Sequence, residues 1–409
     1  VVLPGLRADR CGTAVKHAAE ALTPNLEALC DTGDAFGHAV TPTPEPGGAL
    51  TSLLTGLAPV RHRVTHVDLV PRLAPGFVTL GEILKAAGGY ATRAFVADPR
   101  LARATTLWQG FEVEPDVGLN EAPEALSRWM RSLLADTPRA AVLVTETLGR
   151  GYGAHRSPDR GGGSPPYLTA VDVREAYETR VRQADARLGA LLERLAAEHL
   201  DRNTLVLVTS TSGTGLGEHG LFGAGADLHD EQIRIPMVFG GSVFLTGEGA
   251  AHKTASLVDV LPTLLDLLGL PLPEGLDGLP LQRVLLGEMR RGPVTSEEQL
   301  DGANTGDPEA KAWLVSVRSL AWKYLVRFDI RAGTVLEQAY DLSADPGETQ
   351  GLARDGSLAG LVFDDAFCEM IERVRDGLWG AVAGANRISG EIYSQGARVV
   401  SDRPAPCGK

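Results

Sequence analysis

The chain has 409 residues and is poor in aromatic side chains, at 5%, and in cysteine, of which there are four. Cys11, Cys30, Cys368 and Cys407 form no CxxC pair and no Cys/His zinc spacing, which excludes the common structural zinc sites. An oxidising compartment would suit the pairs Cys11–Cys30 and Cys368–Cys407, and a reducing one would suit four free thiols. No apolar run reaches the roughly 18 residues that a bilayer-crossing helix needs. The most apolar stretch, Ser256 to Pro273, is interrupted by Asp259, Pro262 and Asp266. Positive charge is also short: 39 basic residues against 52 acidic ones leave a formal net charge of −13. No basic patch larger than Arg290–Arg291 offsets it, which excludes a nucleic-acid or anionic-membrane binder. Only 6 of the basic residues are lysine, a bias that reads as a GC-rich bacterial genome.

What is present is an ordinary globular composition, 44% hydrophobic and 22% charged. Helix and strand signals alternate along the first two thirds. Thr23-Pro24-Asn25 predicts a helix start with Thr23 as N-cap, and Thr79–Ala87 an amphipathic helix ended by Gly88-Gly89. The spacing from Tyr167 to His199 predicts a long helix, and Leu257–Leu268 a shorter one. Tyr90–Ala97, Ala140–Thr145, Leu205–Val208 and Ile235–Phe239 predict buried strands. The fold class expected is therefore α/β, a mostly parallel central sheet flanked by helices. Past residue 288, Trp313–Val317, Lys323–Phe328 and Val335–Tyr340 alternate like antiparallel strands, with a turn at Arg331-Ala332-Gly333 and a helix from Asp364 to Val382. The expected divisions are residues 1–287 as an α/β core, 288–384 as a smaller antiparallel α+β subdomain and 385–409 as an extended tail. Gly149–Pro166 reads as a Gly/Pro-rich exposed loop. Val1-Val2-Leu3 reads as the end of a strand too short to stand alone, so a longer protein with an upstream targeting or membrane segment is expected.

Short phrases then line up in order: Leu6-Arg7-Ala8-Asp9-Arg10, Thr23-Pro24-Asn25-Leu26, Ser52-Leu53-Leu54-Thr55-Gly56 and Asn203-Thr204-Leu205-Val206. They continue through Gly217-Glu218-His219-Gly220-Leu221-Phe222, Arg234-Ile235-Pro236, Val258-Asp259-Val260-Leu261-Pro262-Thr263 and Leu276-Asp277-Gly278. The series closes with Tyr340-Asp341-Leu342 and Asp345-Pro346-Gly347-Glu348. This series resembles the sulfatases of the alkaline-phosphatase superfamily. The resemblance implies their α/β scaffold, on which a divalent cation held by carboxylates activates a nucleophile at a helix N-terminus to cleave sulfate or phosphate esters.

Carried over residue by residue, that machinery is missing. The metal-binding Asp positions of the first strand are Pro4 and Gly5, and those after the Asn203 strand are Thr211 and Ser212. The nucleophile position is Pro46, and the conserved-phrase residues that follow it become Gly48, Ala49 and Leu50. The substrate-contacting Lys is replaced by Ala224, and the loop Thr145–Gly151 has no His. Pro46 also lacks an N–H, so the segment is expected to offer no row of amides to an anion. Asp9, Glu45, His62, His66, Glu218, His219 and His229 remain as polar candidates, with Glu218 and His219 as a residual polar site and His62 as a scaffold residue of the old cleft. Thr43, Thr51 and Ser52 are substitute nucleophiles with no base that the sequence identifies. The Asp227/His229/Asp230 run reads as a solvated loop.

The reading is a pseudoenzyme without cofactor or metal, a structural or interaction subunit of a periplasmic or extracellular bacterial assembly. Its partners would be other protein subunits, with membrane contact only through an upstream segment. The alternatives are a sulfuric or phosphoric ester hydrolase or transferase with a rebuilt metal site, and a module binding a ligand in the old cleft.

Overall fold

The computed structural model describes residues 1–11, 22–64, 73–134, 136–149, 155–156, 170–225, 227–241, 249–300, 312–329, 334–352 and 363–374. Two units make it up, Val1–Gly225 with Glu231–Arg291, and Ala226–Asp230 with Gly292–Lys409. His66, Cys407, the 385–409 tail, the Arg331–Gly333 turn and most of the Gly149–Pro166 loop lie outside the described residues.

The first unit carries strands β1 (Asp34–Ala35), β2 (His38–Val40), β3 (Ala91–Val96), β4 (Glu112–Pro115), β5 (Arg139–Val144), β6 (His155–Arg156), β7 (Leu205–Thr209), β8 (Gly215–Leu216), β9 (Leu221–Gly223), β10 (Met237–Gly241) and β11 (Thr254–Ser256). In the main sheet β3 lies between β4 and β5, parallel to both. Val2 continues the parallel run, bridging Val144 of β5 and Thr209 of β7. The expected mostly parallel sheet is thus present, but the Ile235–Phe239 region forms β10, which runs antiparallel to β7, and β1 runs antiparallel to β10. The reason is the connection. A parallel neighbour needs a crossover back to the starting end of the sheet. Residues 210–236 instead form β8, β9 and short turns, so β10 starts where β7 stops.

Alternate residues of these strands feed two cores, as a two-residue period requires. Ala94, Val96, Val144, Met237 and Phe239 pack on one side with Leu50, Leu53, Leu54, Leu261 and Leu265. Phe95, Leu143, Val208 and Val238 pack on the other with the long helix Ala170–Ala197 through Val173, Tyr177, Val181, Leu188, Leu191 and Leu195. Each such fully buried side chain is worth roughly 1.5–3 kcal/mol.

The helix Leu80–Gly88 starts in a capping box between Thr79 and Glu82 and ends at Gly89, whose φ of 63° suits glycine. Thr23 stands at the N-cap of the helix Pro24–Thr32 as expected, but its side chain makes no capping hydrogen bond. The Asp185 carboxylate caps it from the long helix, accepting from Asn25 N at 3.0 Å and Leu26 N at 2.9 Å. A charged acceptor from another element satisfies two amides where a threonine hydroxyl satisfies one. Cys11 and Cys30 stand as thiols and not as a disulfide, and burial pushes the Cys30 thiol up to about 12. Cys368 is disulfide-bonded. Among the described residues no helix is long and apolar enough to cross a membrane.

The second unit is an antiparallel meander of β12 (Val294–Leu300), β13 (Ala312–Arg318), β14 (Trp322–Asp329) and β15 (Thr334–Asp341). Phe363, Phe367 and Ile371, the last two on the helix over 365–374, pack on Val315, Val317, Tyr324, Val326 and Phe328. The Asp227/His229/Asp230 run is no solvated loop. His229, 6% exposed, places Nδ1 at 2.7 Å from Asp227 and Nε2 at 3.3 Å from the Tyr340 hydroxyl. Asp230 accepts from Arg318 at 2.9 Å and from Lys323 at 3.1 Å, and Lys323 also meets Glu348 at 2.7 Å. Burial works against the charge on Lys323, but the facing Glu348 and Asp230 outweigh it and raise its pKa. Two buried cations opposite two carboxylates leave no net charge inside, and that pairing is what makes such a run tolerable in a core.

Candidate functional site

The two segments expected to supply metal ligands, Pro4-Gly5 and Thr211-Ser212, lie close together beside the chain that follows β5. Leu3 O accepts from Ser210 Oγ at 2.8 Å, and Pro4 O accepts from Leu148 N at 2.8 Å. Gly5 O receives two hydroxyls, Tyr177 at 2.8 Å and Thr214 Oγ1 at 2.9 Å. The carbonyl oxygens that line this junction are therefore engaged within the protein. Gly5 itself has φ +86°, and a Cβ placed there would stand 2.9 Å from Thr214 Oγ1 and 3.1 Å from Gly149 N. Only glycine fits both the conformation and the space. Thr211 and Ser212 are buried, at 0% and 1% exposure, and Thr211 Oγ1 has no hydrogen-bond partner.

These residues do not fit a hard divalent cation. Calcium and magnesium sites are built from carboxylates and other oxygens aimed inward. Here Pro4 and Gly5 carry no side-chain ligand atom, Thr211 and Ser212 offer only neutral hydroxyls, and the nearby carbonyls already accept hydrogen bonds.

Pro46 is the first residue of the helix Pro46–Thr55. Glu45 sits at its N-cap, 8% exposed, and Oε2 accepts from Gly48 N at 2.7 Å while its carbonyl accepts from Ala49 N at 2.9 Å. Of the first-turn positions of this helix, Pro46 has no amide and Gly48 N is taken by the Glu45 carboxylate, so the chain places its own negative charge where the dipole favours an anion. Ala49 and Leu50 are fully buried in the core.

Sequence reasoning left Ser52 without a base, and the structure supplies a neighbour. Ser52 Oγ lies 2.9 Å from His62 Nε2. Val64 N donates to His62 Nδ1 at 3.1 Å, so the ring carries its hydrogen on Nε2 and donates to Ser52. Burial lowers the His62 pKa to about 4 and keeps the ring neutral. A histidine that already donates to the serine cannot take its proton.

Glu218 and His219 share a turn but diverge. Arg7 spans Asp9 at 2.8 Å and Glu218 at 2.9 Å, and Leu216 N donates to Glu218 at 2.7 Å. Desolvation pushes the Asp9 and Glu218 carboxyls up, yet the Arg7 guanidinium outweighs it and holds both below the usual carboxylate range. His219, with φ 52°, turns the other way and places Nδ1 2.7 Å from buried Glu231. Ala224 is half-buried just past β9. Arg7, Tyr177 and Glu231 were not singled out as site residues. Arg7 stands in the Leu-Arg-Ala-Asp phrase, Tyr177 reads as an ordinary helix position, and Glu231 stands in none of the phrases.

The sulfatase family model matches residues 122–270. The choline-sulfatase of Rhizobium meliloti (strain 1021) is 32% identical over 186 residues, 44% of this chain and 33% of that protein. Over these residues the chain is similar to the sulfatase family. Human arylsulfatase K is 28% identical over 189 residues, 44% of this chain and 34% of that protein. The match to these curated relatives thus spans about a third of their length. Among solved structures, a 2-O GAG sulfatase superposes with TM-score 0.69 at 18% identity, covering 100% of this chain and 96% of that one. The phosphonate monoester hydrolase of Agrobacterium radiobacter gives 0.68 at 20% identity, covering 94% of each chain. The alkaline-phosphatase/sulfatase-like fold expected from the sequence is therefore present, with its parallel sheet and C-terminal antiparallel sheet.

Proposed function

We propose that this sulfatase-like chain is a pseudoenzyme, a structural or interaction subunit of an extracytoplasmic bacterial assembly. The observation that carries the reading is Gly5. Its left-handed backbone and the 2.9 Å contact awaiting any Cβ leave no room for a ligand side chain at that metal position. The neutral Thr211 hydroxyl and the Glu45-capped helix start support it from the two other sides of the reaction, the second ligand segment and the nucleophile. A scaffold kept while its chemistry is lost points to a role for the surface, with protein subunits as partners. The extracytoplasmic setting follows the habit of the family.

The test is divalent-metal content per chain after loading with Ca²⁺, Mg²⁺, Mn²⁺ and Zn²⁺, alongside hydrolysis of aryl sulfate and aryl phosphate esters. Near-zero occupancy and no turnover are expected. One tightly held ion per chain with turnover would overturn the reading. That outcome belongs to a second reading, an ester hydrolase with a rebuilt site. His219 favours it, being held at 2.7 Å by a buried carboxylate on a backbone conformation rare for histidine. The sulfatase activities in the names of the two relatives favour it as well.

A further inference from the structure

We draw no further inference here: the strongest candidate, the Glu45-capped start of the helix Pro46–Thr55, belongs to the site already described and is a helix N-terminus at which no second observation points to a ligand.

Discussion

Ser52 and His62 form a buried hydrogen bond of 2.9 Å, at 0% and 2% exposure, in which the imidazole is the donor. Val64 N fixes that direction by occupying Nδ1. The pair thus ties the middle of the helix Pro46–Thr55 to the end of the helix Pro59–His62, and only a neutral ring can also accept from Val64 N at Nδ1.

That neutrality sets a pH dependence. The His62 pKa falls from 6.5 in a free chain to about 4 in the folded one, so the unfolded state binds the proton more readily. Its contribution to stability is complete above about pH 6.5 and is lost as pH falls towards 4, by at most about 3 kcal/mol. Urea unfolding at several pH values should show this slope, and His62→Gln should flatten it between pH 6.5 and 4. An unchanged slope in the variant would show that other groups carry it.

Restoring a carboxylate at Gly5 should fail. Gly5→Asp forces an L-residue to φ +86° and its Cβ to within 2.9 Å of Thr214 Oγ1, for an expected loss of roughly 2–4 kcal/mol. Thr211→Asp alone should bind no calcium at millimolar concentration, because one carboxylate makes no cage. Isothermal titration of Thr211→Asp with Ca²⁺ and chemical denaturation of Gly5→Asp check the two halves.

Glu45 should matter for folding and not for anion binding. Glu45→Ala removes the acceptor of Gly48 N and should cost about 1–2 kcal/mol, and Glu45→Gln, which keeps an acceptor, less. Sulfate or phosphate at millimolar concentration should leave the Tm of the unaltered protein where general salt effects put it, and a saturable rise would contradict the closed helix start.

In the second unit, Lys323→Met should cost about 3–5 kcal/mol, since it removes the buried ammonium that faces both Glu348 and Asp230. Adding Glu348→Met should recover part of that loss. A double variant no more stable than the single one would show that shape, and not charge, is what Lys323 supplies.

Much of the fold was legible because the signals were strong and local. The continuous apolar run Leu205–Val208 and the spacing from Val173 to Leu195 appear as β7 and the long helix. β12 was missed because its buried face reads Val294, Ser296, Glu298, Leu300, and two polar residues hide the alternation. The helix cap at Asn25 was missed because its acceptor, Asp185, is 160 residues away in sequence. The emptied positions could be located from short phrases, but not how they were filled. That Ser52 has a histidine beside it, and that the histidine points its hydrogen the wrong way for a base, depends on the Val64 amide and on burial, neither of which a sequence displays.

On the proposed pseudoenzyme reading, Gly5 also bears on what such a chain can become. A carboxylate lost by one substitution can return by one substitution only while the backbone and its neighbours keep the old shape. Here the left-handed turn, the Thr214 hydroxyl and the nearby Gly149 amide all stand in the way of a side chain. Reversal would require several of these to change together, each step destabilising until the last is made. The closed pocket acts as a ratchet, and variation that survives is steered away from the old chemistry and towards the exterior of the molecule.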